Sequence, residues 1–237
     1  MYIPEEVKQK IIENNSKISD LLLENENLLR IEGLNIPEQN FALISDDKIK
    51  VPRGYIRSKE YLVFKYHLKE IASDWVVRSN IGYALQLSDF HNYLLNRFDL
   101  WGSVSAMMYK SAVINLVSIL EAMVFEAANQ ICCNSSKCTR KRSCKISFNK
   151  KQRENSYEAI KRINELGITS FSSDELSRIK ELIDLRNRVH IRLAEEKEIS
   201  DKEFNLELYN EIIKLLQRTC DELYKNAVPL YKSCYQQ

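Results

Sequence analysis

Glycine and proline are scarce. Five Gly and four Pro serve a chain of 237 residues. That is too few breakers for a β-sandwich, a barrel, a collagen-like repeat or a disordered chain, and it leaves a mainly helical protein. No glycine cluster builds a phosphate-cradling loop, so neither a P-loop nor a dinucleotide-binding fold is expected. No H-E-x-x-H, G-x-S-x-G or acidic metal constellation occurs, and no cofactor or resident metal is expected. The first residues, Met-Tyr-Ile-Pro-Glu-Glu, lack the basic start and apolar run of a signal peptide. Excess charge is small, at a net +2, so any nucleic-acid contact must depend on where the charge sits.

The longest apolar stretch, Ala112 to Ala128, is interrupted by Asn115, Ser118, Glu121 and Glu126. Two carboxylates near a bilayer midplane cost roughly 2.5 kcal/mol or more each. The stretch therefore reads as a core helix, with no membrane involved. Six irregularly spaced Cys do not form a disulfide scaffold, and a reducing cytoplasm is the expected compartment. Cys132, Cys133, Cys138 and Cys144 lie in or beside one insert, with no C-x-x-C and no neighbouring His, so zinc is not expected. Cys220 and Cys234 read as packing or surface residues, and His67 and His91 as surface or interhelix residues.

The helical pattern begins at once. Pro4 to about Arg30 is amphipathic, with Val7, Ile11, Ile18, Leu21, Leu22, Leu28 and Leu29 at helical spacing. Gly33 and Pro37 stop it. Phe41–Ser45 and Lys48–Val51 suggest a short hairpin, and a helix is predicted from about Ser58 to Ala72. From residue 79 the character changes. Helices are predicted over 79–98, 103–131 and 154–166, with a polar insert at 132–153. Two capping-box patterns follow: Ser172-Ser173-Asp174-Glu175 before a run to about Leu193, and Ser200-Asp201-Lys202-Glu203 before a run to about Ala227. The expected fold is all-α, an antiparallel helical bundle over 79–237 preceded by an N-terminal extension over 1–78.

Two features suggest chemistry. On a helical wheel of residues 173–193, Leu176, Ile179, Leu182, Ile183, Leu185, Val189 and Leu193 share one half. Arg186 and His190 fall inside that half, one turn apart. Burying them is costly unless they are paired or line a cleft. Either Arg186 pairs with a carboxylate of the central helix, Glu121 first among them, or the two face a ligand with Asn187 beside them. The second feature is a run of eight cations without an acid: Lys137, Arg140, Lys141, Arg142, Lys145, Lys150, Lys151 and Arg153. The rest of the chain carries −6. Such focusing attracts a phosphate backbone, RNA included, or forms a solvated loop.

The central stretch Ser-Ala-Val-Ile-Asn-Leu-Val-Ser-Ile-Leu-Glu-Ala-Met-Val-Phe-Glu (111–126) and the later Asp-Leu-Arg-Asn-Arg-Val-His (184–190) together resemble the HEPN superfamily, over about residues 79–230. The resemblance implies a small helical bundle, commonly a homodimer. It also implies a metal-independent endoribonuclease, as in toxin–antitoxin, phage-defence and RNA-processing systems, where an antitoxin or other partner protein is common. The family motif is an Arg, often followed by Asn, then a His after an intervening stretch of four to six residues. Arg186, Asn187 and His190 match it in shortened form, with three residues between Arg186 and His190. Some members are non-catalytic binding modules, which is the alternative expectation.

Overall fold

A computed structural model describes residues 3–33, 50, 52–134, 156–187 and 204–227, with backbone alone at 129 and 131–134. Every regular element among the described residues is helical. The chain divides into two compact units, Met1–Val51 and Pro52–Gln237.

The first unit contains α1, Glu5–Ile31. Glu5 and Glu6 sit at its positive end and Arg30 in its last turn, as the helix dipole favours. Gly33 follows in the left-handed region, at φ +68°, where a Cβ would be strained. No residue of α1 is buried. The hairpin expected at Phe41–Ser45 and Lys48–Val51 falls outside the described residues except for Lys50.

The second unit is a helical bundle. It comprises α2 (Lys59–Lys65), α3 (Leu68–Ile71), α4 (Trp75–Arg97), α5 (Gly102–Asn134), α6 (Ser156–Glu165), α7 (Ser173–Asn187) and α8 (Leu206–Glu222). A π-helical turn, Leu223–Ala227, follows α8. The centre is α5, which packs against α4, α6, α7 and α8. Its Ala112, Val113, Leu116, Val117, Ile119, Leu120, Met123 and Val124 are all buried, as an all-round apolar helix requires. They join Leu62, Ile160, Ile179, Leu182 and Ile212 in one core. Burying each large side chain contributes about 1.5–3 kcal/mol. Residues Gly102–Ala128 are long and apolar enough to cross a membrane, yet 67% of the relevant window is buried inside the bundle.

Several boundaries differ from expectation. The helix predicted over Ser58–Ala72 is two helices, because His67 adopts φ +50° between α2 and α3. The His67 ring stacks on Tyr224 with centroids 3.8 Å apart. The extension also ends earlier than residue 78. Leu62, Val63, Leu68 and Ile71 are buried in the bundle core, so α2 and α3 belong to the second unit. Helix α4 starts at Trp75 rather than 79, because the Asp74 carboxylate accepts from the N–H groups of Val76 and Val77, at 2.7 and 3.4 Å. Gly82 lets α2 lie close to it, since a Cβ there would stand 2.8 Å from Lys59 Cγ.

The capping box at α7 forms in both directions. Ser172 N–H donates to Glu175 Oε2 at 2.8 Å, and Glu175 N–H donates to Ser172 Oγ at 3.2 Å. Helix α8 starts later than its pattern suggested. Asn205 caps it by accepting from Leu208 N–H at 2.9 Å, while Ser200–Glu203 lies outside the described residues.

Candidate functional site

Two arginine links hold α7 in place. Arg178 donates to both carboxylate oxygens of Glu211 on α8, at 2.8 and 3.0 Å. Arg218 on α8 pairs with Glu175 in the first turn of α7. With the helix so fixed, Ile179, Leu182 and Ile183 enter the core. Arg186 follows on the same side, one turn further on.

The Arg186 side chain reaches across to α5. Its Nη2 lies 3.0 Å from Glu121 Oε2, and its Nε donates to Ser118 Oγ at 3.4 Å. Its Nη1 donates to Asn187 Oδ1 at 2.8 Å. The contact with Glu121 is an ion pair off the hydrogen-bond line, and among the described residues that buried oxygen has no hydrogen bond. Burial pushes the Glu121 carboxyl above its ordinary value, against the opposing pull of a Ser156 hydrogen bond and the Arg186 charge. The pair is asymmetric: the Glu121 side chain is 7% exposed and the Arg186 side chain 37%. A guanidinium has five N–H donors. Among the described residues two of them donate hydrogen bonds, to Ser118 and Asn187, on a group that still meets solvent.

Of the residues singled out in the sequence, Arg186, Asn187 and Glu121 therefore come together. His190 lies outside the described residues, as do Lys137, Arg140, Lys141, Arg142, Lys145, Lys150, Lys151 and Arg153. So do Cys138, Cys144 and the side chains of Cys132 and Cys133. Among the described residues, no three His, Cys, Asp or Glu side chains are grouped to hold a metal ion. Two members of the cluster were not picked out as site residues, Ser118 and Ser156. Ser118 left a trace, a hydroxyl three residues before Glu121 in an apolar helix.

A second polar site had no sequence signal. A cavity of about 210 Å³ lies among α2, α4, α5 and α8, lined in part by Arg57, Tyr66, Asp89, Asn92 and Tyr209. Asp89 accepts from Arg57 N–H at 3.0 Å and from Arg57 Nε at 2.7 Å, and pairs with its Nη2 as well. Burial raises both phenols, Tyr209 to about 12, so they stay protonated at neutral pH. The ion pair spans 32 positions, beyond the reach of periodicity arguments.

His91 is buried between α4 and α5, with Nε2 3.2 Å from Ser111 Oγ and, among the described residues, no partner at Nδ1. Burial lowers its pKa, so the ring is neutral at pH 7.

No protein-family model matches the chain, and no curated protein or solved structure matches it.

Proposed function

We propose that this chain is a metal-independent endoribonuclease of HEPN type that cleaves single-stranded RNA to 2′,3′-cyclic phosphate ends. The observation that supports it is the state of Arg186: anchored through Glu121 and Ser118, with its side chain still 37% exposed. A guanidinium fork suits two non-bridging phosphate oxygens. RNA carries its own nucleophile, the 2′-hydroxyl. Cleavage needs a base for that proton, a cation for charge on the phosphoryl group, and an acid for the leaving 5′-oxygen. Histidine is the side chain suited to act as base or acid near neutral pH, and His190 takes that role. Asn187, bonded to Arg186, orients the guanidinium. A homodimer places two such sets at one phosphodiester, so one histidine need not serve both ends of the displacement. The cations between Lys137 and Arg153 supply the RNA-binding surface. The setting is cytoplasmic, as a toxin or phage-defence effector with an antitoxin or other partner protein.

The purified protein is expected to cleave single-stranded RNA in EDTA, leaving cyclic phosphate ends. His190→Ala is expected to abolish cleavage, and equal cleavage by both proteins removes the assignment. The Glu121 pair favours a second reading, a non-catalytic module that binds nucleic acid or protein with Arg186 structural. That reading predicts RNA binding without turnover.

A further inference from the structure

The 27 residues of α1 carry a seven-residue apolar repeat, and none of them is buried. Val7, Ile18, Leu21 and Leu28 are each about half exposed, between 47% and 60%, with Ile11 half-buried. With Ile11 and Ile18 as the first core position of successive heptads, the core positions read Val7, Ile11, Asn14, Ile18, Leu21, Asn25, Leu28. Two of the seven are polar, and both are asparagine. Whatever covers this stripe must offer a polar group at those two levels and apolar side chains at the rest.

We propose that α1 pairs with α1 of a second copy as an antiparallel coiled coil centred between Ser19 and Asp20. In that register Ile18 meets the partner's Leu21, and Ile11 meets the partner's Leu28. Asn14 meets the partner's Asn25, amide to amide, so each has a donor and an acceptor at hand. By two-fold symmetry each layer occurs twice. Sliding by one heptad places Ile18 against the partner's Asn14 and Val7 against the partner's Asn25, which strands both amides on apolar side chains. Two arrangements set the asparagines against each other: the centred antiparallel pair, which matches the core from Ile11 to Leu28 and leaves Val7 level with the partner's Glu32 just past the helix end, and a parallel pair in which each residue meets its own copy.

Charge separates those two. The half of α1 up to Ile18 is balanced, with Glu5, Glu6 and Glu13 against Lys8, Lys10 and Lys17. The half from Ser19 to Glu32 is acidic, with Asp20, Glu24, Glu26 and Glu32 against Arg30 alone. A parallel pair lays the two acidic halves side by side, whereas the antiparallel pair sets each against a balanced half. The residues bordering the stripe agree. In the antiparallel register Lys17 lies beside the partner's Glu24, twice per dimer. In a parallel pair Lys17 would border the partner's Leu22, and Glu24 the partner's Leu29. Two other cations of α1 are engaged within the helix, Lys8 with Glu5 and Arg30 with Glu26. Lys17 and Glu24 make no ion pair among the described residues. The proposal does not depend on the nuclease reading.

The test is the solution mass of the full chain by sedimentation, with charge reversals as the probe. Wild type is expected to be dimeric at micromolar concentration. Lys17→Glu is expected to weaken dimerisation about tenfold, through two new like-charge contacts per dimer. Lys17→Glu combined with Glu24→Lys is expected to restore it. A chain that stays monomeric at tens of micromolar overturns the proposal. So does a dimer indifferent to Lys17→Glu, which would place the contact elsewhere. Orientation is read separately by oxidation and peptide mass. Asn14→Cys with Asn25→Cys is expected to yield a disulfide between positions 14 and 25, whereas a 14-to-14 bridge in Asn14→Cys alone means a parallel pair and overturns the register. The readouts are mass and cross-links, so neither outcome depends on RNA cleavage.

Discussion

Helix α5 buries two glutamates, Glu121 and Glu126, each 6% exposed, and the bundle treats them differently. Glu126 faces the α3–α4 junction. Its Oε1 accepts from Ser73 Oγ at 3.2 Å, Asp74 N–H at 3.4 Å and the Gln130 amide at 3.4 Å. Gln130 also donates to the Ile71 carbonyl at 2.8 Å, which closes the junction. These donors are neutral and fixed by packing or backbone. Glu121 faces α6 and α7, where a Ser156 hydrogen bond and the charge of Arg186, a cation one-third in solvent, oppose the cost of its burial. The first carboxyl is a structural acceptor. The second holds a charged group where a ligand can reach it. Equal burial on one helix thus serves two ends, and the partner decides which.

The largest expected effect breaks the junction. Glu126→Leu leaves three donors without their acceptor and should cost about 3 kcal/mol, read from urea denaturation. Glu126→Gln, which keeps a carbonyl in place, should cost less than half of that. If both are equally mild, the hydrogen bonds at Glu126 contribute nothing and the contrast fails.

Next comes the other side. Arg186→Ala strands a buried carboxylate and should cost about 2 kcal/mol, less than the roughly 3–5 of a fully enclosed pair because Arg186 meets solvent. Adding Glu121→Gln should recover most of that loss. Under the nuclease proposal, stability restored in the double variant without RNA cleavage would separate anchoring from chemistry. A variant that regains both would make Arg186 purely structural.

The smallest effect concerns His91, a buried titratable group on neighbouring α4. Burial lowers its folded pKa below the ordinary 6.5. Between the two values the unfolded chain binds a proton that the folded chain does not, so stability rises with pH there. Stability should therefore be full above about pH 6.5 and decline as acid is added below it. His91→Gln should flatten that slope. Glu121 acts in the opposite sense: its raised pKa makes the folded chain the better proton binder above the ordinary carboxylate value, so Glu121→Gln should steepen the acid loss. Parallel denaturation series from about pH 5 to 8 would resolve the two.

Much of the fold was legible because its signals are local. The scarcity of breakers announced helices, the largely apolar 103–131 announced a central one, and the Ser172–Glu175 box placed the α7 start. Asp74 was equally local, an acid just before the first helical residue, yet apolar periodicity drew the α4 boundary to 79. The break at His67 was hidden, since a left-handed histidine has no sequence signature, unlike Gly33. The Arg57–Asp89 pair and the Glu126 junction join residues 32 and 52 or more positions apart, and composition contains no record of such distances. At the candidate site the wheel put Arg186 on the core-facing half of its helix, and the ion pair with Glu121 lies there. What the wheel had no means to show was the degree of exposure, which depends on how far α7 projects past its neighbours.

One quiet detail offers a clock. The Cys220 thiol donates to the Tyr66 carbonyl at 3.0 Å, and burial pushes its pKa up to about 12. At neutral pH only about one such thiol in 10⁵ is ionised, and the thiolate alone attacks alkylating reagents. Tyr66 follows α2 and Cys220 lies on α8, so the sulfur becomes reactive only when those two segments part. With the other five cysteines changed to serine, the rate of alkylation would time the opening of this end of the bundle under fully native conditions.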